Sequence, residues 1–376
     1  MNYSSRTRKL RKKLVERGFD AVIITSWESL YYLTGMKPIQ SRSLSRDPMP
    51  LIVYSDGRKG SATTFIPTAA FGMAAKLEHK EVKDVRPYDG PEMWTKTSEV
   101  LSERLAANPK IGVETRYLTQ AHYSMLTEKK MPHARFEDCS ELVEELRMVK
   151  DEEELRLIER ACRITDKVVA SVGESFLRPG LTELDVAGEI IRSAIGHGAE
   201  GESFHPQVFS GRRGYLLNIS SSSTKKLQKG EVVMLDFGVN VEGYRTDTTR
   251  CFVLGKATKK QKEIADVALK ITQDAVDVIR PGAKASDVHI RALKDFKELG
   301  FEGYCRHYTG HGIGLSTWER PLLREFDHTE LKENMTLAVE QGIYLPKFGV
   351  RFEENLIVTK NGVRSLFKYP CELVEV

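Results

Sequence analysis

Cysteine is scarce in this sequence. There are five in 376 residues, Cys139, Cys162, Cys251, Cys305 and Cys371, an odd number with no CxxC pair. Reduced thiols acting as small apolar core residues are the simplest account. Long apolar runs are absent too: none approaches the ~20 residues that span a bilayer. The basic opening segment, Arg6 to Lys13, is followed by no signal-type apolar stretch. No membrane partner is implied, and the cytoplasm is the expected compartment. Charge of one sign is lacking as well. A net charge of +4 at this length does not by itself point to nucleic acid, and charged low-complexity tails are missing. What is present, 40% hydrophobic and 29% charged residues, is ordinary for a globular protein. The length suggests about two domains.

Leu10 and Leu14, four apart, mark the buried stripe of a first amphipathic helix, with the basic residues around them as its solvated face. The short β-branched runs "FDAVIIT", "LIVYS" and "KIGVET" read as buried strands. Helices are expected between them, around Thr68–Glu78 and Ser98–Ala107. This alternation describes an α/β domain over residues 1–148. "KDEEELRLIERACRITDKVVASV" reads as a helix whose first-turn acids suit the positive end of its dipole. It opens a second domain, residues 149–376.

The second domain carries an internal repeat. "RPGLTELDV" from Arg178 returns as "RPGAKASDV" from Arg280, 102 residues later. In both, Pro-Gly reads as a helix stop and turn before a new helix. "LQKGEVVMLDFG" from Leu227 returns as "LKENMTLAVEQG" from Leu331, 104 residues later. Each copy ends on an acid followed two positions on by glycine, Asp236 with Gly238 and Glu340 with Gly342. A second acid follows in each, Asp247 and Glu353. Two copies of helix–helix–strand–strand imply a pseudo-two-fold domain with the acids meeting near its axis.

Asp236 and Glu340 sit in strands apolar enough to be buried on both faces. A lone carboxylate there needs a cation or a shifted pKa. A turn at Glu242-Gly243 places Asp236 opposite Thr249, with Asp247 on the same face. A four-residue turn, Pro346 to Gly349, places Glu340 opposite Asn355, with Glu353 on the same face. Four converging carboxylates would repel one another, and two divalent cations would cancel that charge. The competing account pairs the acids with Arg245, Arg250 and Arg351. In "HYTGHGIGL", His307 and His311 lie four apart, and Gly310, Gly312 and Gly314 would let backbone approach a metal closely. His311 supplies the imidazole such a site expects.

Taken together, "MLDFG…YRTDTTR", "TGHGIGL", "VEQGIYLPKFGVRFEEN" and the opening "RKLRKKLVERGFDAVIITSWESLYYLTG" resemble the pita-bread metallopeptidases, the Xaa-Pro dipeptidase (prolidase) and aminopeptidase P group above all. The resemblance spans essentially the whole chain. It implies an N-terminal creatinase/prolidase-like α/β domain and a C-terminal pseudo-two-fold pita-bread α+β domain. It implies two divalent metal ions per chain, manganese or cobalt, with zinc and iron as the other candidates. Asp236, Asp247, His311, Glu340 and Glu353 are then the metal ligands, with Asp247 and Glu353 bridging. Glu340, His307 and Arg351 take catalytic roles, Glu340 relaying the proton of the attacking water. A small peptide substrate and a homodimer are also implied. Two positions depart from the pattern. Asn218 and Trp318 stand where the Xaa-Pro group carries substrate-contacting histidines, and His205 in "ESFHPQ" is a candidate to substitute. Cleavage of the amide bond before proline is the leading expectation. A non-proline peptide or a creatine-like C–N bond is the alternative, and a non-catalytic binding module of the same fold is the other.

Overall fold

A computed structural model of the chain describes residues 1–37, 48–56, 61–78, 82–90, 92–216 and 221–376. Asn218 lies outside the described residues. The chain divides into two compact units, Met1–Arg147 and Met148–Val376.

The first unit is built on one mixed sheet. Its strands are β1 (Ala21–Ile24), β2 (Leu51–Tyr54), β3 (Thr63–Phe65), β4 (Asp84–Val85), β5 (Lys110–Val113) and β6 (Arg135–Asp138), in the order β4-β3-β2-β1-β5-β6. The three runs read as buried strands are β1, β2 and β5. The helix Tyr3–Arg17 buries Leu10 and Leu14 as expected, but Arg6 completes the same stripe. It is only 2% exposed, donates to the Tyr32 carbonyl and stacks its guanidinium 4.2 Å from the Tyr32 ring centroid. Arg6 is therefore no part of a solvated basic face. The helix expected at Ser98–Ala107 is Met93–Ser102 instead. Its buried stripe, Met93, Trp94, Thr97, Val100 and Leu101, starts five residues earlier and fixes the helix there.

In the second unit the repeat is visible as repeated hydrogen bonds. After the helix Glu152–Ala170 and its wider last turn, Ser171–Phe176, Gly180 N donates to Leu227 O (2.9 Å) and Leu227 N to Leu181 O (2.8 Å). After the helix Lys259–Val276, Gly282 N donates to Leu331 O (3.0 Å) and Leu331 N to Ala283 O (2.8 Å). The next helices, Glu183–Gly196 and Ala285–Glu298, have 14 residues each. Three of the four helices open on a capping box, at Asp151, Thr182 and Thr258.

Each half contributes a hairpin. The first pairs β9 (Val232–Phe237), flanked by β8 (Gln207–Ser210), with β12 (Thr248–Val253). Between them run the short β10 (Val239–Val241) and β11 (Tyr244–Arg245). The second pairs β15 (Thr336–Leu345) with β16 (Phe348–Thr359), flanked by β13 (Gly310–Gly312) and β14 (Glu319–Leu323). Alternation along the strands separates apolar from functional faces. Val233, Leu235 and Phe237 join Val168, Val186 and Ile190 in one core. Leu337, Val339, Phe352 and Leu356 join Ile264, Ala268, Val288 and Phe296 in another. The acids are left on the faces turned away from their own helices. No helix among the described residues is long and apolar enough to cross a membrane.

Candidate metal centre

In the first hairpin Val241 faces Tyr244 and Asp236 faces Thr249, the expected register. The second differs from expectation. Its turn has two residues, Leu345 faces Phe348, and Glu340 lies directly opposite Glu353 rather than Asn355. A slip of two residues keeps every side chain on its own face, so the apolar pattern fits both registers. The two-residue turn at Pro346 and Lys347 sets the observed one.

Asn355, displaced from Glu340, clasps the other half of the site. Its Oδ1 accepts from Asp247 N (3.1 Å) and its Nδ2 donates to Asp247 O (2.8 Å). Asp247 lies in the two-residue gap between β11 and β12, so this clasp replaces the ladder bonds a strand would supply. Thr249 bridges two charges: its hydroxyl donates to Glu353 Oε2 (3.0 Å) and accepts from Arg351 Nε (3.0 Å). Neither role was legible from the motifs. The only signal was an Asn and a Thr in phase with the acids on the same faces.

Asp247, His311 and Glu353 are buried and offer ligand atoms that all lie within 4.8 Å of one another. His311 Nε2 is 3.5 Å from Asp247 Oδ2. The other ring nitrogen, Nδ1, is 3.0 Å from the Gly312 carbonyl. A carbonyl can only accept, so Nδ1 carries the proton and Nε2 presents its lone pair to the acids. Nε2 and Glu353 Oε1 are buried with no hydrogen-bond partner, which is costly unless a cation engages them. One imidazole among carboxylates is a donor set suited to manganese, cobalt, zinc or iron. The residues fit the implied metal.

Asp236 and Glu340 are engaged differently. Arg351, two residues before Glu353 and on its face, pairs with Asp236 through Nη2 and lies 3.5 Å from Glu340 Oε2 through Nε. The basic neighbour absent from their own strands thus arrives from β16. Arg245 and Arg250 do not approach the four acids' carboxylates. Arg245 donates to the carbonyls of Leu315 and Ser203, and Arg250 to the Glu353 carbonyl and the Glu354 carboxylate.

Charge follows this geometry. Burial, reinforced by the neighbouring acids, pushes the Asp247 and Glu353 carboxyls well above the usual range. Burial raises Asp236 to about 6 against the pull of Arg351. At Glu340 burial is outweighed by His307, Arg351 and His311, which hold the carboxyl below its ordinary value. Burial pushes both His307 and His311 down, which in His311 favours the neutral form that ligates.

Of the other residues singled out, His307 lies with Nδ1 4.0 Å from Glu340 Oε2. Trp318 stacks on the His311 imidazole, ring centroids 4.8 Å apart at 23°, while remaining 53% exposed. It forms an open aromatic wall on the candidate ligand. His205 is exposed on the segment between β7 (Gly201–Glu202) and β8, with no bond to these residues. Gly310 and Gly312 of "TGHGIGL" permit close contact between strands. A Cβ on Gly310 (φ 151°) would lie 1.9 Å from the Ala338 carbonyl oxygen, and one on Gly312 would lie 2.4 Å from that of Arg320.

Paired acids and an imidazole between two repeated hairpins define a metal-dependent hydrolase with a pita-bread fold. Comparison with known proteins agrees. Residues 156–360 match metallopeptidase family M24 and residues 6–149 match the creatinase/prolidase N-terminal domain. The chain belongs to metallopeptidase family M24. It is 31% identical over 372 residues to the Xaa-Pro dipeptidase of Pyrococcus furiosus, covering 98% of this chain and 99% of that protein. Among solved structures, an Xaa-Pro dipeptidase from Bacillus anthracis superposes with a TM-score of 0.89 at 29% identity over the whole of both chains. The dipeptidase PepE from Mycobacterium ulcerans gives 0.88 at 28% identity, covering 100% of this chain and 98% of that one.

Proposed function

We propose that the protein cleaves the amide bond before proline in dipeptides or short peptides, using two divalent metal ions. One observation carries this reading. The buried and unpartnered His311 Nε2 and Glu353 Oε1 lie beside Asp247 in a chain similar over nearly its full length to an Xaa-Pro dipeptidase. Asp247, His311 and Glu353 would hold metal, and Asp236 and Glu340 would complete the set on exchanging Arg351 for it. Bound divalent metals supply a polarised carbonyl and water of lowered pKa. Glu340, ionised and beside the cluster, is placed to hold a proton in transit. Arg351 is a cation for a substrate carboxylate or oxyanion once Asp236 turns to metal.

Trp318 supports a second reading, in which another small amide substrate is preferred. An indole offers one neutral N–H where an imidazole could donate or carry charge.

The test is metal analysis joined to an assay of manganese- or cobalt-loaded protein on Leu-Pro, Leu-Ala, longer Xaa-Pro peptides and creatine. About two ions per chain and hydrolysis of Xaa-Pro bonds are expected, with Asp247→Asn and Glu353→Gln inactive because each removes a ligand charge. Turnover that survives a strong chelator, or either variant at the wild-type rate, would refute the reading. Hydrolysis confined to the non-proline substrates selects the second one.

A further inference from the structure

In the sheet of the first half, Asp236 has a direct partner on each side: Gln207 on β8 and Thr249 on β12. Directly opposed residues of antiparallel strands share a face. Gln207, Asp236 and Thr249 therefore form one row on the face that carries the acid. The residues that follow Gln207 along β8 agree with this placement. Val208 packs into the core of the first half, and Phe209, in phase with Gln207, into that of the second. Two members of the row are engaged. Asp236 accepts from Arg351, and Thr249 bonds both Glu353 and Arg351. Gln207 Oε1 is buried and has no hydrogen-bond partner, a costly state for an acceptor.

The main chain holds that residue in place. Val208 N donates to Ser222 Oγ (2.9 Å). Four residues before Gln207, Ser203 is fastened three times. Its N–H donates to the Gly238 carbonyl and its hydroxyl to that of Val239, each at 2.9 Å, and its own carbonyl accepts from Arg245. Arg245 stands two residues before Asp247, as Arg351 stands two before Glu353. The first copy of the repeat uses its arginine to fix the segment leading to Gln207; the second uses its own to meet the acids.

The chemistry of the proposed substrate says what can meet Oε1. An amide oxygen only accepts. In a dipeptide ending in proline the peptide nitrogen carries no hydrogen, and the carbonyl and carboxylate oxygens only accept. The amino terminus holds the only main-chain N–H donors. The row has a matching polarity: Thr249, bonded to the Arg351 cation, lies on the far side of Asp236 from Gln207. We propose that Gln207 is a specificity-determining residue whose Oε1 accepts a hydrogen bond from the amino terminus of the substrate. The inference rests on the function proposed above and narrows it to peptides with a free amino group on the residue before proline.

The experiment compares Gln207→Leu with the wild type, both loaded with manganese. Leucine is close to glutamine in size and has no acceptor. Exchanging an unpaired buried acceptor for an apolar group leaves stability unchanged or higher, so the melting temperature should not fall, and manganese affinity should stay at the wild-type value. KM for Leu-Pro is expected to rise about 10- to 100-fold, the effect of losing one hydrogen bond to a charged group. The bond is made in ground and transition states alike, so kcat should stay near wild type. Calorimetric titrations with leucine and with isocaproate, which is leucine without its amino group, test for the donor directly, and neither compound contains an amide bond. The variant should lose about 10- to 100-fold in affinity for leucine and nothing for isocaproate. An equal loss for both, no loss for either, or a wild type that binds isocaproate as tightly as leucine overturns the proposal. So does weaker manganese binding or a lower melting temperature in the variant, since Gln207 would then serve the metal or the fold. If wild-type protein leaves Leu-Pro intact, the proposed function fails, and the two titrations still decide this inference.

Discussion

Asn355→Ala is the sharpest test of how the site is assembled. The side chain is fully buried, and it makes both main-chain hydrogen bonds to Asp247, at 3.1 and 2.8 Å. Alanine leaves an N–H and a carbonyl in the interior without these partners. Each orphaned group costs about 1–3 kcal/mol, so the pair costs about 2–6 kcal/mol. For a domain of about 150–250 residues, 1 kcal/mol moves the melting temperature by about 2–4 °C. A midpoint near 4 kcal/mol then lowers it by about 8–16 °C. The same clasp orients the Asp247 carboxylate towards His311, and loss of such support weakens metal binding about 10- to 100-fold. Thermal melts of metal-free protein measure the first effect, and calorimetric manganese titration the second. A variant melting within about 2 °C of wild type and binding manganese equally well would refute the reasoning. The main-chain groups of Asp247 would then have other partners.

Two further outcomes are expected. Without metal, the Asp247 and Glu353 carboxyls titrate above their unfolded values. The unfolded chain ionises them first, so metal-free protein loses stability as pH rises from the ordinary carboxylate range towards these raised values. Metal requires the ionised forms, so the gap between melts with manganese and with chelator should widen from about pH 5 to about pH 8; a gap that narrows instead would show that these carboxylates do not carry the metal. Trp318→His restores an imidazole at the edge of the site and should raise Leu-Pro turnover, by up to about 10²-fold if a preorganised donor is regained; steady-state kinetics on Leu-Pro and Leu-Ala measure it, and no gain would show the indole to be neutral for the reaction.

Much of the architecture could be read from local patterns. β1, β2 and β5 announced themselves as short β-branched runs, because a strand buried on both faces has little else to show. The repeat emerged because two supersecondary units with the same core must space their turns and strands alike. Asp236 could be placed opposite Thr249 because Glu242-Gly243 is a tight turn at a definite position. Where local pattern misled, a physical competitor explains it. Arg6 reads as a solvated charge, yet the carbonyl and ring of Tyr32 offer a guanidinium both a hydrogen bond and an aromatic face. The helix at Met93–Ser102 was displaced because Met93 and Trp94 belong to its buried stripe.

The sequence by itself determined the elements, the two-fold repeat and the candidate donors: acids in apolar strands announce a cation because an isolated buried charge is too costly. Tertiary structure alone decided how those donors meet. It set the second hairpin two residues tighter, since side-chain alternation is blind to a shift of two. It brought Arg351 across to Asp236, and Asn355 across to a segment 108 residues away in the chain. It laid Trp318 on His311 and set His307 beside Glu340. Such contacts join residues from different strands and loops, and their distances depend on how two sheets stack, which no spacing along one strand encodes.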